Sequence, residues 1–471
     1  MAISKLDEME LLLSILDKQQ LCDFIREECV NDRYLMDRFL ALGAGTIYTP
    51  KSTDYQRRIK EIISHFEGRD GFVSYNRTFD LNRAISRIID EADAAMYNQQ
   101  WEVVVSVLEA VATTGEDIIY CGDDSAGELG DIVRQCFEKW YELSIDDSLP
   151  PTMRSKIFEL SLTHFAEGCL KGFDWWWDWV QIAILLADTP DKQERVMNEL
   201  NSIIDIDGDD WDVKYNRETA QRYKLELISR CGTRDEQYKF MCENVGNPNF
   251  RRRLLQIAWD AGDYDEVVRL AEDGAVHDSQ LRGLVNEWHK WELKVYRHKN
   301  DSSNIIRLAR YFFFNGGGFG EKEYDMENMY AQMKALLPNA EWNGFVETLL
   351  KEAAGGRHDY RMLFIYSQEK MWDRYRDYLR KSPVIHELDD APEEVWELYK
   401  DELIQLYTAC VKNFFQRASS RNSYCEGVSM LRKLINYGGR TEVSKIINEQ
   451  KARIPRRPAL IDELSKFEKE L

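Results

Sequence analysis

At 471 residues the chain is longer than one compact core usually grows, so several domains or an elongated stacked array is expected. Hydrophobic residues make up 44% and aromatics 12%, which excludes a disordered acidic chain. The net charge of −21 repels phosphate backbones and makes direct nucleic-acid binding a poor expectation.

The first elements are helical. Leu6, Met9, Leu12, Leu13 and Leu16 share one stripe, and Leu21, Phe24, Ile25 and Val30 a second. A third helix is expected over 34–42, a loop at Gly43, Gly45, Pro50 and Ser52, and another helix over 55–66. Residues 1–68 are thus expected to form an N-terminal helical cap.

The clearest unit lies at 252–271. Leu254, Leu255, Ala258 and Ala261 repeat at helical steps, Gly262 and Asp263 interrupt, and Tyr264, Val267, Val268 and Ala271 restart the period. That pattern spells an αα-hairpin, with Gly262 in the left-handed C′ position and Asp263 capping the next helix. Residues 80–112 repeat it with Trp101 in the place of Tyr264, and MLFIYSQEKMWDRYRDYL repeats it with Trp372. An aromatic at that place wedges against the preceding helix and sets the hairpin angle. Weaker hairpins are expected at 157–187, 223–242, 305–337 and 403–437, and most of the ten prolines punctuate these blocks. No stretch alternates as a buried strand. The expected fold is all-α, an irregular α-solenoid of tetratricopeptide-like hairpins over 69–455, closed by a capping helix at 456–471 whose Leu460, Leu464, Phe467 and Leu471 form one stripe.

Candidate chemistry is sparse. GDDSAGELG at 122–130 approaches a hydrolase nucleophile turn, but two aspartates separate Gly122 from Ser125, so GxSxG fails and a capped inter-helix loop is expected. DIDGDDWD at 205–212 gathers five carboxylates, including Asp205, Asp207 and Asp209. It departs from the EF-hand template at positions six and twelve, where Asp210 and Asn216 stand. A solvated loop is the expectation, with cation binding the open alternative. GGGFG at 316–320 lacks the GK[ST] ending of a phosphate cradle. Seven histidines and nine cysteines show no metal spacing, so no metal, cofactor or catalytic residue is assigned. The basic clusters at Arg57, Arg58 and Lys60, at 251–253, and at Arg456 and Arg457 are expected to pair with acidic neighbours.

FDWWWDWVQIAILL has the most unusual composition. Trp175, Trp179, Ile182 and Leu186 make one helical stripe, and Phe173, Trp177, Val180 and Ile184 another, leaving Asp174, Asp178 and Gln181 as a polar wedge. Such a helix is either buried by its neighbours or offers an aromatic patch to a partner, for which Trp176 and Trp177 are the candidates.

Three stretches resemble the helical region that accompanies SWIM zinc fingers in bacterial proteins: FIYSQEKMWDRYRDYL, ASSRNSYCEGVSMLRKLINYGG and the tail ARIPRRPALIDELSKF. A weaker likeness reaches back through Asp123, Asp124, Ser125 and Gly127 to the N-terminal cap. The finger itself, a CxC followed by CxH, is absent from the sequence, so the resemblance implies the helical scaffold without its zinc-dependent contact. The resulting expectation is a non-catalytic scaffold binding a basic or helical segment of a protein partner. The resemblance also implies an alternative, an accessory subunit of a nucleic-acid-handling or defence system. The acidic start predicts no signal peptide, no window of about 20 apolar residues predicts a membrane span, and the cysteine usage predicts a cytoplasmic location.

Overall fold

The computed structural model describes residues 9, 12–32, 35, 36, 39, 50–208, 210–318, 320–355 and 360–470. Leu6, most of the helix expected over 34–42, the glycines 43 and 45, Asp209, His358 and Leu471 lie outside these described residues. Within them the fold is all-α. Among the described residues no strand forms, and no helix is long and apolar enough to cross a membrane.

The chain divides into two compact units, Met1–Glu292 and Leu293–Leu471. The first contains α1 (Lys18–Asn31), α2 (Ser52–Phe66), α3 (Tyr75–Tyr97), α4 (Trp101–Thr113), α5 (Gly115–Tyr120) and α6 (Glu128–Ile145). It continues through α7 (Pro151–Glu167), α8 (Trp175–Leu186), α9 (Pro190–Ile204), α10 (Trp211–Cys231), α11 (Arg234–Glu243), α12 (Pro248–Asp260) and α13 (Tyr264–His277). The division falls inside α14 (Arg282–Lys299). The second unit holds α15 (Ser302–Asn315), α16 (Met326–Leu336), α17 (Asn339–Ala353), α18 (Tyr360–Gln368) and α19 (Trp372–Lys381). After the short α20 (Ile385–Asp389) come α21 (Glu393–Arg417), α22 (Arg421–Asn436), α23 (Arg440–Ala452) and α24 (Pro458–Glu468).

One turn geometry recurs. Gly262 has φ +74°, and the next N–H, of Asp263, donates to the Ala258 carbonyl at 2.9 Å, the long-range bond of a Schellman cap. Asp263 in turn accepts from the Glu266 N–H at 3.1 Å and starts α13, as its sequence implied. Gln99 (φ 57°) and Lys370 (φ 51°) occupy the same place, with Gln100 donating to Ala95 and Met371 to Tyr366, both at 2.8 Å. Trp101, Tyr264 and Trp372 follow two residues later in each case. Tyr264 meets Trp259 of α12 edge-on at 5.2 Å, which is the wedge expected of it. Three further copies carry no aromatic: Gly168 with Cys169 donating to His164, Asn300 with Asp301 donating to Tyr296, and Gly438 with Gly439 donating to Leu434, each at 2.9 Å.

In the first unit a continuous core runs from Tyr55 to Leu227. Helix α4 is its centre: Val103, Val104, Val105, Val107, Leu108, Ala110, Val111 and Ala112 are all buried, because α2, α3, α6 and α7 pack around it. Ile59, Ile62 and Ile63 of α2 enter this same core. Val73 and the 121–123 turn are tied by Val73 N–H to Cys121 O (2.8 Å) and Asp123 N–H to Val73 O (3.0 Å). A Cβ on Gly122 would stand 2.7 Å from the Val73 oxygen, which is why glycine occupies that point.

In the second unit the core runs from Leu293 to Phe467. Pro458 stands in the first turn of α24, as its sequence implied, and Leu460, Leu464 and Phe467 are buried. Here and in the first unit, arginines close helix ends whose last carbonyls lack partners. Arg77 donates to His65 O at the end of α2, Arg361 to Phe313 O and Phe314 O at the end of α15, and Arg457 to Phe415 O and Ala418 O at the end of α21. The expectation of ion pairs at the basic clusters is therefore half met. Arg58 pairs with Glu91 at 2.7 Å and Arg252 with Glu287 at 2.6 Å, whereas Arg251 and Arg457 serve backbone carbonyls.

Candidate functional site

Helix α8 packs its tryptophans inward. Trp176 stacks on Phe165 of α7 with ring centres 4.8 Å apart, and its Nε1 donates to the Phe165 carbonyl at 2.9 Å. Trp177 stacks on Tyr223 of α10 at 5.6 Å. Their exposures are 7% and 4%, which fits the first of the two alternatives, a helix whose neighbours cover what the composition left apolar. The polar wedge has a matching partner, since the Tyr141 hydroxyl donates to Asp178 at 2.5 Å. Burial pushes the Asp178 carboxyl up to about 6, with the Asp174 charge adding to the rise and the Tyr141 hydrogen bond opposing it.

One edge of Trp176 remains on a cleft of about 240 Å³, which it lines with Phe165, Lys171, Ile203, Ile206 and Val213. The loop over this cleft is fixed by Arg217 of α10. Its Nη2 donates to Ile206 O at 2.6 Å and Gly208 O at 3.1 Å, and its Nε to Ile204 O at 3.3 Å. Asp210 then caps α10, accepting from the Val213 N–H at 3.1 Å. These bonds hold the segment in one shape, which lowers the entropy cost of binding to it.

Outside the cleft, the start of α10 and the loop before it expose large apolar side chains. Trp211 is 74% exposed and Ile206 48%. Trp211 stacks on Tyr215, one helical turn on, at 5.3 Å, and the Tyr215 hydroxyl donates to Asp174 at 3.0 Å. Asp207 and Asp212, on either side of that start, take no ion-pair partner among the described residues. The wider field has the same sign: up to Glu292 there are 33 Lys and Arg against 56 Asp and Glu, and beyond it 29 against 27. The whole acidic excess therefore belongs to the first unit. Lys171 is the local exception, with its Nζ 5.2 Å over the Trp176 ring.

The sequence singled out this loop for its carboxylates and passed over Trp211 and Tyr215. Their i, i+4 spacing at the start of a polar helix was the available signal. Among the described residues no group of three or more His, Cys, Asp or Glu side chains is placed to hold a metal ion, and Asp209 lies outside them.

The other candidates resolve into local structure. Asp124 accepts from Leu129 N–H at 2.7 Å and Gly130 N–H at 3.1 Å and so caps α6, while the Ser125 hydroxyl bonds to Asp123. In the second unit, a cluster the sequence did not suggest surrounds Asp389. It accepts from Tyr407 at 3.0 Å, Tyr437 at 3.1 Å and Lys433 at 2.6 Å, and Trp396 stacks on Tyr437 at 4.0 Å. Asp389 is thereby a tie between α20, α21 and α22. No protein-family model matches this chain, and no curated protein matches it.

Proposed function

We propose that the chain is a non-catalytic scaffold built from tetratricopeptide-like hairpins, and that it binds another protein through the exposed surface of Trp211 and Tyr215. The observation that carries this reading is the Trp211–Tyr215 stack, a large aromatic surface left in water on a segment that Arg217 holds rigid. Exposed tryptophan and tyrosine on a fixed platform are the residues that anchor interfaces, because they bury much area at little entropy cost. The repeated turn at Gln99, Gly262, Asn300, Lys370 and Gly438 supports the hairpin-repeat half of the reading. So does the likeness of 364–379, 418–439 and 452–467 to the helical region of SWIM proteins, which lies in packing and turn motifs. Nine free thiols fit a reducing cytoplasm.

The test is affinity purification of the full chain beside its Trp211→Ala variant, with recovered proteins identified by mass spectrometry. A protein retained by the wild type and lost with the variant, at equal helicity of the two, is the expected result. Retention of nucleic acid through a high-salt wash, with no protein dependent on Trp211, would replace this reading with the nucleic-acid accessory role.

A further inference from the structure

Within the acidic first unit, Arg83 and Arg87 stand one turn apart on α3, and neither takes an ion-pair partner among the described residues. Like charges at that spacing repel each other, so an anion held between them relieves both. The two line a cavity of about 590 Å³ at α2 and α3, whose apolar lining comes from Ile62, Phe66 and Ala84. The Arg83 guanidinium lies 4.8 Å over the Phe79 ring, which steadies it without neutralising its charge. We infer that this cavity binds an amphipathic monoanion, a carboxylate on a medium-length apolar body, with Arg83 and Arg87 holding the carboxylate.

The order of charges along the cavity selects that ligand. Arg58 of α2 pairs with Glu91 of α3, while Arg77 of α3 reaches the His65 carbonyl of α2, so the two helices run antiparallel. Asp80 therefore lies toward the His65 end and Arg87 toward the Arg58 end, roughly 10 Å apart along the helix axis. Arg58 also lines the cavity, but Glu91 engages it through both oxygens, at 3.0 and 2.7 Å, and the anion falls to Arg83 and Arg87. A planar carboxylate matches the guanidinium fork. A second negative charge, as on a phosphate monoester or a nucleotide, meets Asp32, Glu61 and Asp80 on the same lining and is repelled. The apolar body lies over Ile62, Phe66 and Ala84, in a space of the size that takes small organic ligands. Neither Trp211 nor Tyr215 lines this cavity, so ligand binding here is separate from the partner surface proposed above.

The experiment is isothermal titration calorimetry of the full chain with decanoate, kept below its micelle concentration, beside decyl phosphate and decylammonium. Decanoate is expected to bind several-fold more tightly than decyl phosphate and about tenfold more tightly than decylammonium. Arg83→Met and Arg87→Met should each weaken decanoate about tenfold, and together abolish measurable binding. Ala84→Trp, which fills the cavity and leaves every charge in place, should weaken it as well. Arg83 and Arg87 are exposed, so their replacement leaves the fold intact, which a thermal melt verifies.

A control pair, Arg230→Met with Arg234→Met, removes two exposed arginines elsewhere on the same unit and is expected to leave affinity unchanged, as is Trp211→Ala. Absence of decanoate binding, or decyl phosphate bound as tightly as decanoate, would overturn the inference. So would wild-type affinity in the Arg83→Met, Arg87→Met double variant, which marks adsorption to apolar surface, or equal weakening by the control pair, which marks diffuse attraction. None of these outcomes bears on the recovery of a protein partner through Trp211.

Discussion

Arg457 reaches back to Phe415: its Nη1 donates to that carbonyl at 2.8 Å, and to the Ala418 carbonyl at 2.9 Å. With Nη2 donating to the Gln416 carbonyl at 3.4 Å, a planar fork of N–H donors closes the end of α21 from the segment that leads into α24. Removing it strands carbonyls at the negative end of a helix. Arg457→Ala is expected to lower the stability of the second unit by about 1–3 kcal/mol. Arg457→Lys should recover only part, since an ammonium cannot reproduce the fork. Urea unfolding of the two variants beside the wild type checks this, and an unshifted midpoint for Arg457→Ala would count against it.

The recurring turn places non-glycine residues at positive φ, Gln99 at 57° and Lys370 at 51°. Both bear a side chain where glycine is less strained. Lys370→Gly is expected to stabilise by about 0.5–1 kcal/mol, and Gly262→Ala, the reverse change in the matching turn, to destabilise by about the same. Opposite signs in thermal melts are the outcome to look for. Equal signs would mean the two turns do not share a conformation.

Gly274 is a packing requirement. A Cβ there would stand 2.7 Å from Arg251 Cδ and 2.9 Å from Trp288 Cδ1, and both side chains are buried. Arg251 is also committed, donating to Leu270 O at 2.6 Å. Gly274→Ala is therefore expected to destabilise by about 2–3 kcal/mol despite the good helix propensity of alanine. A gain in melting temperature, which propensity alone would give, is the opposing result.

Asp178 makes stability depend on pH. Its carboxyl sits at about 6 in the folded chain against the ordinary 3.8, so folding takes up a proton between those values. The contribution is fully present below about 4 and is lost as pH rises through about 6. Asp178→Asn keeps an acceptor for Tyr141 but no charge. Relative to wild type it should become more stable from pH 4 to pH 7, by about 1–2 kcal/mol. Denaturation at both pH values measures the difference, and parallel behaviour of the two proteins would disprove the assignment.

Much of this fold could be read from residue order. Gly262 and Asp263 announced their turn because a left-handed C′ and a side-chain cap each demand particular residues, and both stand where expected. The copies at Asn300 and Gly438 were harder to see, since no aromatic follows them and only backbone geometry reveals the kinship. The candidate site was legible in part. Trp176 and Trp177 drew notice for composition, yet composition cannot say which helix covers a ring, and Phe165 and Tyr223 arrive from separate helices. Trp211 is conspicuous only once its exposure is known, because a tryptophan in a helix is usually buried. Arg457 likewise reads as a charge in the sequence, while its carbonyl partners lie about forty residues earlier.

Hydrogen exchange of the intact protein, alone and with a protein partner recovered by affinity purification, tests most directly whether this chain works by recognition on the Trp211–Tyr215 surface. The bound partner should slow amide exchange in the loop at 204–208 and the first turns of α10, and leave the second unit as it was. Protection spread evenly over the acidic helices, or confined to the second unit, would contradict the assignment.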